Sequence, residues 1–258
     1  MSFAIALTDA QWELVADLFN PPGRRGAPAQ IPRRQMVDAM LFIGRTGCQW
    51  RYLPERYGAW TAVWAQWRRW RSNGVWPAAM SRLAAIVRVL HEREPAPSMV
   101  MVDAQTVKGG RYGPTFHEPG GRGGRTIGTK RTLLVEILGL PLAADACSAR
   151  PHDLTAARVL LRERIATLPR LRAIVGDRAY AGLARGAARK GISLDIKAKP
   201  AAGGPAFVPL RPLVKVEHAF AQLGRWRRLS RCYEGTVASA RTWLEVASVG
   251  YLAWRASI

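Results

Sequence analysis

The chain has 258 residues, 48% of them apolar, with 39 Lys and Arg against 18 Asp and Glu and a formal charge of +21. The apolar content supplies a core and excludes global disorder, while the cationic excess calls for an anionic partner, either nucleic acid phosphates or an anionic membrane surface. With no uninterrupted apolar run of about 18 residues and no signal peptide legible in Met1 to Leu7, membrane and secreted classes are both disfavoured.

The first ~95 residues read as helices. Thr8 with Gln11 makes a capping-box pattern, and Trp12, Val15, Leu18 and Phe19 recur behind it at helical spacing. Pro21 to Gly26 is a basic loop that breaks this helix. Pro32 suits the first turn of the next helix, whose apolar face carries Met36, Val37, Met40, Leu41 and Ile43. Gly47 to Pro54 reads as a turn with aromatic anchors, and a third helix carries Trp60, Val63, Trp64, Trp67 and Trp70. Aromatic stripes at this spacing usually form core, which puts Trp60, Trp64 and Trp67 inside; the alternative is stacking on exposed bases. Arg68, Arg69 and Arg71 interleave with the last turns of that helix and are the better candidates for DNA contact. A fourth helix, about Pro77 to Arg93, ends at Glu94-Pro95-Ala96-Pro97-Ser98, the clearest linker in the chain. The expected organisation is a helical region over 1–94, a linker over 95–98 and an α/β region over 99–258.

Beyond the linker, strands alternate with helices. The apolar run Met99 to Val102 ends at Asp103, and a glycine-rich basic stretch from Lys108 to Lys130 reads as a loop that orders on DNA. Strands over Thr132 to Leu138 and Leu142 to Ser148 meet at Gly139-Leu140-Pro141, which suits a hairpin. Asp153 caps a helix running to Thr167. A strand ending near Asp177, a short Ala/Gly-rich helix and a strand over Ile192 to Lys197 come next. Two helices close the chain, one carrying Glu217 and one over about Val237 to Ala256. This order is mixed α/β, a central sheet flanked by helices. Cys48, Cys147 and Cys232 stand far apart in no metal-like spacing, so reduced thiols in a cytoplasmic protein are expected.

Asp103 and Asp177 both stand where strands end, and Glu217 lies on a helix that follows. If the two strands are neighbours, the three carboxylates form an oxygen-only ligand set for Mg²⁺ or Mn²⁺, the ions that serve phosphodiester chemistry. Two such ions would activate a water or 3′-hydroxyl and stabilise the leaving oxygen. Position alone leaves the bland readings open: Asp103 bonding to its turn, Asp177 pairing with Arg178, and Glu217 solvated on its helix. Asp145 inside a strand and Asp153 at a helix cap are rivals. His117, His152 and His218 read as a loop residue, a local bond and a side chain about 100° from Glu217.

In this setting the motifs resemble the IS5 family of insertion-sequence transposases, DDE enzymes with an RNase H-like catalytic fold. Leu7 to Trp12 and Gly47 to Pro54 are similar to the family's N-terminal helical domain, and Val102 to Lys108 to its first-acid motif. Pro151-His152-Asp153 resembles its His-Asp pair, Gly176 to Gly182 its second-acid motif, and Val216 to Leu229 its third-acid helix with a basic tail. Ala104 and Gln105 replace small hydroxyl residues that are commoner in the family. The resemblance implies a helix-turn-helix-like N-terminal DNA-binding domain before an RNase H-like mixed sheet. It makes Asp103, Asp177 and Glu217 the catalytic, metal-binding acids. It further implies Mg²⁺ (or Mn²⁺), double-stranded DNA at transposon ends and target, at least a homodimer on paired ends, no membrane, and a nucleoid-associated cytoplasmic location. Alternatives are an RNase H-like nuclease that only hydrolyses and a catalytically silent DNA-binding regulator.

Four further cations are expected on the DNA. If the Glu217 helix continues, Arg228 lies roughly 20° from the direction of Glu217, so Arg225 and Arg228 face DNA beside the site. Lys108 and Lys130 flank the glycine-rich stretch and are expected to touch the backbone near Asp103.

Overall fold

A local hydrogen-bonded box opens the first helix. The computed structural model describes residues 6–21, 30–110, 116, 118–120, 126–197 and 212–257, so most of the basic loop after Pro21 and most of the glycine-rich stretch, with His117, lie outside the described residues. The Thr8 hydroxyl accepts from the Gln11 amide at 3.2 Å and the Gln11 side chain from the Thr8 amide at 2.9 Å, the expected capping box. The helix it opens is short: α1 (Asp9–Glu13) breaks before α2 (Ala16–Phe19). α3 (Arg33–Thr46) starts after Pro32, which stands at its cap rather than in its first turn, and ends on Gly47 at φ 73°. α4 (Trp60–Ser72) and α5 (Val75–Leu90) are joined through Asn73 and Gly74, whose φ of 66° lets the chain reverse.

Four strands follow: β1 (Met99–Lys108), β2 (Glu118–Gly120), β3 (Thr126–Glu136) and β4 (Pro141–Ser148). The glycine-rich stretch was expected to be loop, and at both described ends it is strand instead. Lys108 pairs with Gly128, and β2 pairs with the start of β3. Ladder bonds use the backbone and need no apolar side chains. At Gly128 a side chain would be in the way, since a Cβ would meet the Val107 carbonyl oxygen at 2.2 Å. Then come α6 (Asp153–Arg164), β5 (Ala173–Asp177), α7 (Ala184–Ala188), β6 (Ser193–Lys197), α8 (Val214–Gly224) and α9 (Val237–Arg255).

β2 and β4 both pair with β3, which runs antiparallel to β1; β5 and β6 then add in parallel. This is the mixed sheet flanked by helices expected of an RNase H-like α/β fold, with a helical region before it. One face packs Val100, Val102, Leu134 and Ile174 against α6 and the turn after β5, including Leu160, Tyr180 and Leu183. The other face, with Met101, Leu133, Val135 and Ala144, joins a larger core shared with α9 and the helices α3, α4 and α5. α9 lies in the middle of that core, and its Trp243, Leu244, Val246, Val249 and Leu252 are buried.

Two polar features in this core have measurable consequences. Arg88 of α5 forms an ion pair with Glu136 of β3, their side chains 6% and 0% exposed. Glu136 also accepts from the amides of Leu138 (2.7 Å) and Leu140 (3.2 Å), so the hairpin turn is tied to the helical region. Replacing Arg88 with Met leaves Glu136 buried without its counter-ion, and urea titration should show a loss of about 3–5 kcal/mol. Glu245 of α9 is pushed up from 4.5 to about 7 by burial, against the pull of Arg241 and Arg164. Between those values the folded protein binds the extra proton, so stability falls as pH rises through this window and stays lower above it. Glu245→Gln should therefore raise the melting temperature at pH 8, by an amount equivalent to about 1–3 kcal/mol, and leave it nearly unchanged at pH 4.5. An equal effect at both pH values would rule out the titration.

Candidate active site

The parallel ladder between β1 and β5 ends at Met101 opposite Val175. Asp103 and Asp177 each stand two residues further on, so the register brings both carboxyls to the same end of neighbouring strands. Glu217 arrives from the first turn of α8, which packs over β1 and β3. Between these elements a cavity of about 480 Å³ is bordered by Asp103 and Glu217, with Arg131, Phe220, Leu223 and Leu229 among its walls.

Local geometry holds one oxygen of each aspartate. An Asp177 oxygen accepts from the Ala179 amide at 2.8 Å and so caps the 3₁₀ turn that follows β5. That turn carries Tyr180 back over Gly176, where an added Cβ would lie 2.9 Å from the tyrosine side chain. The Tyr180 hydroxyl consequently reaches 3.5 Å from Asp103 Oδ1, at the long limit of a hydrogen bond. Burial, then the charges of Asp103, Asp153 and Asp177, push the Tyr180 hydroxyl far above its usual value, so it stays protonated and donates.

Asp103 is pushed up to about 6, first by burial, against a stabilising bond from the Ala104 amide, and then by the charges of Asp177, Asp153 and Glu217. The acids thus repel one another from four separate elements. Among the described residues, no three His, Cys, Asp or Glu side chains converge closely enough to enclose a metal ion. The donor chemistry nevertheless suits a hard divalent cation, because every donor is a carboxylate oxygen and added positive charge relieves the repulsion on Asp103.

The remaining expectations divide according to which cations the fold consumes. Arg68 is exposed and lies 4.8 Å over the Trp64 ring, while Arg69 is exposed with its guanidinium on Gln66 Oε1 at 2.8 Å. Lys108 and Arg225 are exposed as well. Three others are corrected. Arg71 is turned inward to Ser239 Oγ at 2.9 Å and over Trp67. Lys130 is buried in an ion pair with Asp153 at 2.6 Å. Arg228 pairs with Glu234 at 2.7 Å, donates to the Cys48 carbonyl at 3.2 Å and lies over Trp243. Helical projection fails for Arg228 because α8 stops at Gly224. Trp64, expected in the core, is 37% exposed, whereas Trp67 is buried.

Two residues near the acids have partners that their sequence positions did not show. Asp153, read as a helix cap, is the first residue of α6; the cap is His152, whose Nδ1 accepts from the Leu154 amide at 3.3 Å. Asp153 instead faces Asp103 electrostatically while holding Lys130. Tyr180 stood in the Gly176 to Gly182 motif without a role. Asp145, the other rival, is bound to Arg241 at 3.1 Å. His218 is exposed and contacts Gln222 at 2.8 Å.

Comparison with known proteins agrees with this architecture. Residues 7–80 match the family described as "Putative transposase of IS4/5 family", and residues 94–199 match the family described as "Transposase DDE domain". An uncharacterized protein of Sinorhizobium fredii, y4sN, is 34% identical over 103 residues, which cover 40% of this chain and 75% of the relative. A 16.2 kDa protein of the insertion element IS402 from Burkholderia cepacia is 33% identical over 88 residues, 32% of this chain and 60% of the relative.

The Tyr180 contact makes a separable prediction. Tyr180→Phe keeps the ring on Gly176 and removes only the hydroxyl, so calorimetric titration with Mg²⁺ or Mn²⁺ should show affinity lowered about 2- to 10-fold, the worth of one modest hydrogen bond. Unchanged affinity would show that the hydroxyl does not orient Asp103.

Proposed function

We infer the reaction from one premise: the chain belongs to the IS4/5 family of transposases and carries a transposase DDE domain. On that premise it acts on double-stranded DNA, binding the terminal inverted repeats of a bacterial insertion sequence, cutting at the element ends and joining 3′-hydroxyl ends to target DNA. The observation that carries this reading is the half-buried Asp103 carboxyl, crowded by the charges of Asp177, Asp153 and Glu217 in a chain whose formal charge is +21. Such a protein has little reason to gather acids unless a cation is to sit among them.

Asp103, Asp177 and Glu217 would hold Mg²⁺, or Mn²⁺ in its place. The ion supplies Lewis-acid stabilisation of charge developing on phosphoryl oxygens. The chain's own groups set the stage for that chemistry. The Ala179 amide bonds Asp177, and the Tyr180 hydroxyl and the Ala104 amide bond Asp103, which would orient the two carboxylates for ligation. Lys108 and Arg225, both exposed, would neutralise phosphates of the DNA entering the site. Arg68 and Arg69 hold the duplex from α4, whose tight connection to α5 gives the helix-turn-helix-like unit proposed to read the repeats. The proposed DNA-binding domain spans 1–94 and the catalytic domain 99–258. Two element ends require at least two copies of the chain. The working location is the cytoplasm, on the nucleoid; no helix among the described residues is long and apolar enough to cross a membrane.

The test uses purified protein and an end duplex copied from the DNA flanking its coding sequence, with nicks mapped in the presence and absence of Mg²⁺. Asp103→Asn, Asp177→Asn and Glu217→Gln should each abolish Mg²⁺-dependent cutting while leaving duplex binding within about 2- to 3-fold, since none of them removes a phosphate contact. Cutting retained by one variant removes that residue from the site. Hydrolysis with no joining of ends by the wild-type protein would indicate a simple nuclease, and binding without cutting a silent regulator.

A further inference from the structure

The sheet face opposite α9 carries a second basic feature that the acid site does not use. A pocket of about 350 Å³ lies between α6 and α7, with Leu161 and Leu183 in its apolar floor. Five cations line it: Arg158, Arg162, Arg185, Arg189 and Lys190. Among the described residues, no acidic side chain lines it. Arg158 is tied to the Gly182 carbonyl at 2.9 Å. Arg162, Arg185, Arg189 and Lys190 are exposed, and among the described residues their side chains form no ion pair. Four unneutralised cations around one concavity with a low-dielectric floor concentrate a positive field outward.

The placement of this field indicates its occupant. α6 begins at Asp153, beside Asp103, and places Arg158 and Arg162 roughly 7 and 13 Å further along its axis. The turn that follows Asp177 leads into α7, which carries Arg185. The same two segments that bear acids at the site therefore bear the cations just beyond it. Arg68 and Arg69 belong to the helices on the other side of the sheet, across α9. Joining one DNA to another needs two duplexes at one set of acids, and the two faces offer one basic surface each.

We propose that the α6–α7 rim holds the target duplex by its phosphate backbone, without reading sequence; this rests on the transposase reading above. Exposed arginine and lysine around an apolar recess suit contact with phosphates, which fixes a duplex in place without carrying sequence information.

The experiment compares wild-type protein with Arg162→Gln/Arg185→Gln/Arg189→Gln, whose exposed positions spare the core. Fluorescence anisotropy with a random-sequence duplex across a salt series should show the slope of log affinity against log salt reduced by about 2 to 3, and affinity at moderate salt lowered about 10-fold or more. Joining of pre-cut ends into a supercoiled plasmid should fall in parallel, while Mg²⁺-dependent nicking at the end duplex stays at the wild-type rate. An unchanged slope and affinity overturn the proposal. So does an equal loss of nicking, which assigns the rim to the element end, or weaker binding only to phosphatidylserine vesicles, which assigns it to a lipid surface. Wild-type protein inactive on every DNA overturns the transposase reading itself, whereas an active wild type with an equally active variant overturns this surface alone.

Discussion

A helix buried along most of its length must be surrounded, and α9 is such a helix. The sheet cannot cover it alone, because β4 lies against one flank only, and α3, α4 and α5 close over the rest. The helical region is therefore held to the sheet by a shared apolar core as well as by the chain connection. Trp243 of α9 shows how close that packing is, with the rings of Trp67 and Trp50 centred 5.5 and 5.7 Å away. Gly250 admits the Trp226 ring, which a Cβ there would meet at 2.4 Å.

This constraint also decides which cations remain for DNA. Arg71 and Arg228 border α9 and its aromatic neighbours, so their guanidinium groups stack on Trp67 and Trp243 and bond to partners inside the protein. Lys130 is consumed on the other face by Asp153. Arg68 and Arg69, on the outer face of α4, stay exposed. A cation's place in a basic sequence thus says little about its task until its neighbours are known.

The acid site depends on strand order in a similar way. Each aspartate follows an apolar run and is legible as a strand end, and the Gly176 to Gly182 motif marks a turn. That the two strands are adjacent and parallel comes from the ladder between β1 and β5, whose members are some 70 residues apart in sequence. Asp153 was read as a cap because the residue before a helix and the first residue within it look alike in sequence, and a one-residue shift changes a cap into a site-facing acid. Tyr180 escaped notice because nothing local tells a buried tyrosine what its hydroxyl touches.

By itself the sequence determined the helix starts, the strand ends and the family motifs, since capping, periodicity and turn chemistry act over a few residues. The Thr8–Gln11 box and the Gly139 hairpin turn were both readable at that range. Tertiary structure alone decided that the glycine-rich ends join the sheet, that Lys130 and Arg228 are spent internally, and that Tyr180 touches Asp103. Those outcomes depend on groups brought together from distant parts of the chain, where burial and competing charges set the energy and local pattern carries no trace of it.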